Sequence, residues 1–296
     1  MNISPASIAL NLATFRSQAL GTLMSSAPDS GKDAFAALMN QFSTANDVST
    51  DPLSWLAANG SVAGVAAPGR NMALVDPESA FRMMSVINQA DVDYKARFAE
   101  LSEMKAYVAQ MQDAGQSLGN ITPATGNDSI ASQLQGFVAQ YNGWVQRFDP
   151  DMQNGGILAG TQAAQVSRYE LGQSIANIFN GAKDGVHGLR DLGVSIDRNT
   201  GLATLDTAKL DAILAGNKQG AVDALQEFSA NFAKSANLLN SGGNFIPNQL
   251  DNLNRAIHYI ADNESSLQAE FGSGDAPKAT GLVAQALAAY NRTYAI

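Results

Sequence analysis

The chain has 296 residues, 45% of them hydrophobic, enough to bury a sizeable core in one or two domains. Only 15% are charged, against roughly 25% in ordinary soluble domains, so the surface is polar but weakly charged. With 27 acidic and 18 basic residues, a net charge of −9 and no cysteine, the composition excludes a phosphate-binding footprint for nucleic acid, disulfides, thiolate metal sites and cysteine nucleophiles.

Residues 1–75 are rich in Ala, Ser, Gly and Asn and are interrupted by Pro28, Pro52, Gly60, Gly64 and Pro68. Short apolar spacings within them make no long consistent face, so this region is expected to be flexible and largely disordered in isolation. Its first residues lack a basic segment, and Ser, Asn, Thr and Arg16 break their apolar positions, so no Sec-type signal is read. No run in the chain approaches the roughly 18 apolar residues of a membrane span, and no membrane insertion is expected.

A helical rod domain is expected over 76–272. Asp76, Pro77 and Glu78 form a helix start: a capping carboxylate, a proline suited to the first helical position, and an acid in the positive first turn. Steps of three and four then give Met84, Ile87, Asp91, Tyr94, Phe98, Leu101, Lys105 and Val108, a heptad seam with six apolar positions of eight. The helix should end near Gly115 or Gly119. A second helix is expected from about Asp128 to Phe148, stopped by Asp149 and Pro150, with Ile130, Leu134, Phe137, Tyr141 and Trp144 on a broad apolar stripe. A third is expected from about Thr161 to Phe179.

The sharpest local pattern lies at 192–206, where two short strands flank a turn. Leu192, Gly193, Val194, Ile196, Leu205 and Asp206 bracket the loop residues Asp197, Asn199 and Gly201, which tolerate tight or left-handed backbone, so a β-hairpin is read here. Asp206 should cap the next helix, with Leu205 and Leu210 placed for a hydrophobic staple. Helices are expected at about 207–214 and 220–239, and a loop at Ser241 to Asn244. Beyond it Ile246, Leu250, Leu253, Ile257, Ile260, Glu264, Leu267 and Phe271 form the strongest periodicity in the chain. Two seams of similar length invite antiparallel pairing of the N- and C-terminal helices. Residues 273–296 form an amphipathic tail with Val283, Leu287, Tyr290 and Tyr294 on one face, which should become ordered only against a partner. The fold class is therefore mainly α: an elongated helical bundle or antiparallel coiled coil with one small β-hairpin.

Catalytic patterns are weak. His187 and His258 lie 71 positions apart and read as loop or helix-surface residues. The loop Gly181 to Gly188 contains Lys183 but has no phosphate-loop spacing. Asp149, Asp151 and Asn154 resemble the start of a calcium loop, without its glycine or closing glutamate. Glu100 and Glu103 could serve paired-carboxylate hydrolysis of peptidoglycan, yet such neighbours read more simply as a solvated helix face. No catalytic, cofactor or metal residue is expected, and the chain reads as a non-enzyme.

The string LRDLGVSIDRNTGLATLDTAKLDAIL resembles the C-terminal domain of the flagellar hook-associated protein 2 family, the filament-capping proteins. FVAQYNGWVQRF, GGILAGTQAAQVSRYELGQSI and AVDALQEF with the following SGG loop extend the likeness, which is specific over about 137–260. The resemblance implies a rod domain that oligomerises with itself into a pentamer-like ring at the filament tip and guides flagellin assembly. It implies type III export with an export chaperone, contact with flagellin and other hook-associated proteins, and no catalysis. In this family the chain ends become helical within the filament. Members also carry two β-rich head domains where this chain has only Gly119 to Asn127. A headless member acting as a monomeric interaction or regulatory module is the alternative.

Overall fold

Asp76 begins the longest element of the structure, a computed structural model that describes residues 68–178 and 185–294. Its carboxylate accepts a hydrogen bond from the Ser79 N–H at 3.0 Å, and Pro77 opens α1 (Pro77–Leu118, 42 residues), which ends at Gly119. At 1.5 Å per residue α1 is about 63 Å long. Of the region 1–75 expected to be flexible, residues 1–67 lie outside the described residues, and within 68–75 Gly69 and Asn71 bond the 269–273 segment.

Six shorter helices and one hairpin follow: α2 (Asn127–Met152), α3 (Gln162–Ala176), β1 (Val194–Ile196), β2 (Ala203–Leu205), α4 (Thr207–Gly216), α5 (Lys218–Asn240), α6 (Phe245–Phe271) and α7 (Gly281–Tyr294). The strands are antiparallel, with Val194 opposite Leu205, Ser195 opposite Thr204 and Ile196 opposite Ala203. The chain is thus mainly α with a single two-stranded hairpin among the described residues. Residues Gly69–Ile296 form one compact unit. No described helix is long and apolar enough to cross a membrane.

The expected stop of α2 at Asp149 and Pro150 is displaced: Pro150 lies inside the helix, which runs on to Met152. In the last turn a proline removes only one backbone donor and the helix has few residues left to lose, so the break falls just beyond it. Asn217 supplies the expected break between α4 and α5, and its side chain accepts from the Gly220 N–H to start α5.

Helices α2, α5, α6 and α7 all pack on α1. The two heptad seams do meet, but only along the first part of α1. Asn71 donates to the carbonyls of Ala269 and Glu270, while Asn240 at the end of α5 donates to the carbonyl of Lys105. Gln226, near the start of α5, reaches the carbonyl of Ile121. Helices α5 and α6 therefore run end to end, both antiparallel to α1, with α5 covering its C-terminal part and α6 its N-terminal part. A 27-residue helix cannot cover a 42-residue one, so α1 needed a second partner.

The core centres on the α1, α2 and α5 crossing. Phe137 meets Phe228 and Phe232 edge to face with centroids 5.2 and 5.0 Å apart, and Trp144 and Phe148 are fully buried beside Tyr107. A Cβ at Gly115 would stand 2.5 Å from the Phe232 ring, so the absent side chain sets how closely α5 approaches α1. Phe137→Ala removes the ring shared by both aromatic contacts. It should lower unfolding free energy by about 3–5 kcal/mol, read as a reduced urea midpoint.

Candidate assembly surfaces

The hairpin corner is built by glycine, aspartate and asparagine. Gly193 has φ +93°, and a Cβ there would lie 2.5 Å from the carbonyl oxygen of Asp206, so the residue before β1 must lack a side chain. The Asp206 N–H donates to the Gly193 carbonyl at 2.9 Å, and the Asp206 carboxylate accepts from Lys209 N–H to cap α4. In the loop, one oxygen of Asp197 accepts from the N–H groups of Thr200 and Asn199 and from the Thr200 hydroxyl, at 2.8–3.0 Å. The Thr200 backbone bond, then its hydroxyl and the Asn199 N–H, hold this carboxyl below the usual aspartate range.

Asn142 is a structural tie with no distinct signature in the sequence. Its side-chain amide donates to the Ala203 carbonyl at 2.8 Å and accepts from the Ala203 N–H at 2.7 Å, so it pairs with β2 as a neighbouring strand would. Tyr141 adds a bond from its hydroxyl to the Gly201 carbonyl at 3.1 Å. The only sequence signal was a polar residue beside a buried aromatic stripe. Asn142→Ala leaves both Ala203 groups without this partner, and a loss of about 1–3 kcal/mol is expected, with faster amide hydrogen exchange at Ala203.

The residues expected to serve self-association are divided between the interior and the surface. In the first seam Met84, Tyr94, Leu101 and Val108 are buried, while Ile87 and Phe98 are half-buried. In the second, Ile246, Leu250, Leu253, Ile257, Leu267 and Phe271 are buried and Ile260 is half-buried; Glu264 is exposed. Of the hairpin residues, Leu192, Gly193 and Val194 are buried, Ile196, Gly201 and Leu205 half-buried, and Asp197 and Asp206 exposed. The C-terminal tail is α7, and its partner within the chain is α1. Tyr290 is buried, Val283 and Leu287 half-buried, and Phe98 meets the rings of Tyr290 and Tyr294 edge to face at 5.9 and 5.1 Å. Asn88 and Gln89 fasten the 273–278 connector to α1, through the carbonyls of Ser273, Asp275 and Lys278.

Glu100 and Glu103 do not form a solvated face. Arg147 on α2 donates to Glu100 at 2.7 Å, to Glu103 at 2.6 and 3.0 Å, and to Asp151 at 2.8 Å, joining α1 to α2. Glu100 and Asp151 are buried, with 6% and 2% of their surface exposed. One guanidinium thus faces three carboxylates. Burial, opposed by the Arg147 charge and reinforced by Asp151, raises the Glu100 carboxyl to about 7. Burial alone would lower the Arg147 guanidinium, yet its bonds to Glu103 and Glu100 carry it above its ordinary value. Because the folded value for Glu100 exceeds its unfolded one, the folded state binds the extra proton. The associated stability is complete below about pH 4.5 and is lost as pH rises to about 7. Glu100→Gln should abolish this slope. Paired urea titrations should show the variant gaining on the parent by on the order of 2–3 kcal/mol between pH 4.5 and 8.

The remaining sequence candidates lie apart from one another. His258 bonds the Asn254 carbonyl on the exposed side of α6, and His187 Nδ1 stands 3.6 Å from Asp191, a carboxylate four residues on that the sequence reading overlooked. Asp149 pairs with Arg168 at 2.8 Å, whereas Asp151 belongs to the Arg147 cluster. No group of three or more His, Asp and Glu side chains among the described residues could hold a metal ion.

A family model described as "Flagellar hook-associated protein 2 C-terminus" matches residues 107–276, from the second half of α1 through α6. The match covers more than half of the chain, and the chain belongs to that family. The family is one of structural flagellar proteins rather than enzymes. No curated protein and no solved structure matches the chain.

Proposed function

We propose that this flagellar protein is a filament cap that leaves the cell by flagellar type III export, associates with itself at the filament tip and assists flagellin assembly. The family match over the helices and hairpin is the observation that carries this reading. The fold is consistent with it in two respects. The chain has its apolar seams closed by its own helices, so it can exist as a finished subunit before assembly. The hairpin corner is pinned by the Asp206 N–H bond to the Gly193 carbonyl and by the Asn142 amide on Ala203, which gives a fixed surface on which subunit contacts can be built. Flagellin, other hook-associated proteins and an export chaperone are the partners this role requires.

A monomeric flagellar module is the second reading, favoured by one feature. Only residues 119–126 connect α1 to α2, so no head domain is inserted there. Deleting the gene decides between them. For a cap, the deletion strain should shed unpolymerised flagellin into the medium and show absent or stunted filaments in electron micrographs, restored by the full chain. Normal filaments on the deletion strain overturn the cap reading; normal filaments together with loss of one co-purifying flagellar protein favour the module.

A further inference from the structure

On the side of the chain away from α1, the second half of α3 and the hairpin enclose a surface groove of ≈ 570 Å³. Its floor is apolar, from Ile175 and Val194, and its rim carries Arg168, Arg190, Arg198 and Tyr169, with no acidic side chain among its described lining residues. Tyr169 leaves 64% of its surface exposed. Arg168 is neutralised by Asp149, but Arg190 and Arg198 are exposed and form no ion pair among the described residues. Lys209 brings a further ammonium against the Arg190 carbonyl at 2.7 Å, and the nearby Asp197 carboxylate is turned into its own loop. In a chain of net charge −9 this is a concentrated cationic site with an exposed aromatic ring beside it.

The opposite charge lies elsewhere on the same surface. Between Arg255 and Lys278 the sequence has no Lys or Arg, and the second half of α6 exposes Asp262, Glu264 and Glu270, none in an ion pair among the described residues. The two sites cannot meet within one chain. The groove sits level with Gln110 of α1, since Gln110 bonds Gln140 and the adjacent Tyr141 bonds Gly201 of the hairpin. The acidic run sits level with 71–88, because Asn71 bonds Ala269 and Glu270 and Asn88 bonds Ser273. From Asn88 to Gln110 the separation along α1 is about 33 Å, several Debye lengths at physiological salt.

From this arrangement we infer that the α3 and hairpin groove of one copy receives the acidic second half of α6 from a second copy. Arg190 and Arg198 engage Asp262 and Glu270, which lie about 80° apart around the helix and so share a side of it, and Tyr169 with the apolar floor covers the turns between them. The contact joins two different patches, so it is head-to-tail: each copy offers a free groove and a free acidic run, and the association propagates until rotation closes it or a helical array continues. The inference rests on the self-association in the proposed function and specifies where it occurs.

Charge reversal on the full chain tests it by sedimentation velocity. Arg190→Glu with Arg198→Glu forms one variant, and Asp262→Lys with Glu264→Lys and Glu270→Lys forms the other; circular dichroism checks that both keep the parent helix content. Each variant alone should associate at least about ten-fold more weakly than the parent, since like charges now face each other. An equimolar mixture should recover association, because each groove again meets a run of opposite sign. If the parent associates but neither variant differs from it, or if the mixture recovers nothing, the groove is not the contact and only this inference fails. If the parent remains monomeric at every concentration up to its solubility limit, the self-association reading fails with it.

Discussion

The structure depends on covering one very long helix. At about 63 Å, α1 exceeds any other element of the chain, and its buried residues are not confined to one stripe. Val92, Tyr94 and Ala96 follow one another at two-residue steps and are all buried, which on a helix requires neighbours on opposite sides. Small residues at Ala80, Ala96, Ala99 and Gly115 let those neighbours come close. The result is a helix with four partners: α5 and α6 in tandem antiparallel to it, α2 beside its second half, and α7 folded back along its first half. Each of these four helices is placed by which length of α1 it covers.

Local signals in the sequence were legible where one residue controls one backbone event. The caps at Asp76 and Asp206, the break at Asn217 and the hairpin loop at Asp197 and Gly201 each depend on contacts within about four positions, and each sits where the residues indicate. Periodicity made the α6 seam legible for the same reason. What periodicity cannot specify is the partner. The first seam looked like a match for the second, yet a stripe of apolar positions is satisfied by any complementary stripe, and length decided that α5 should share α1 with α6.

The polar ties were the least legible. Arg147 finds Glu100 and Glu103 at separations of 47 and 44 residues, and Asn142 finds Ala203 at a separation of 61. Nothing in the spacing of Glu100 and Glu103 distinguishes a pair held by a cross-helix guanidinium, with Glu100 buried, from a solvated one; the difference is made by Arg147 of α2. The cluster joins the two helices with charge rather than apolar surface, and such a tie specifies register more than it adds stability, because both burial and like-charge repulsion act against the surplus carboxylates. An error of one turn in the α1 and α2 pairing would leave Arg147 without Glu100 and strand a carboxylate in the interior.

The matched segment begins at residue 107, yet α6 and α7 lean on the thirty residues of α1 that precede it. The matched unit is therefore not the physical unit: cutting the chain at its start would remove Met84, Tyr94 and Leu101 and leave most of α6 without the α1 surface it packs on. The hairpin has the opposite character. It touches the bundle through α2 and α3, takes no part in covering α1, and owes its shape to glycine and aspartate contacts within its own corner. Its turns are fixed by single residues, which is why that stretch of sequence is so specific, whereas the core is held by apolar periodicity together with the buried Arg147 cluster.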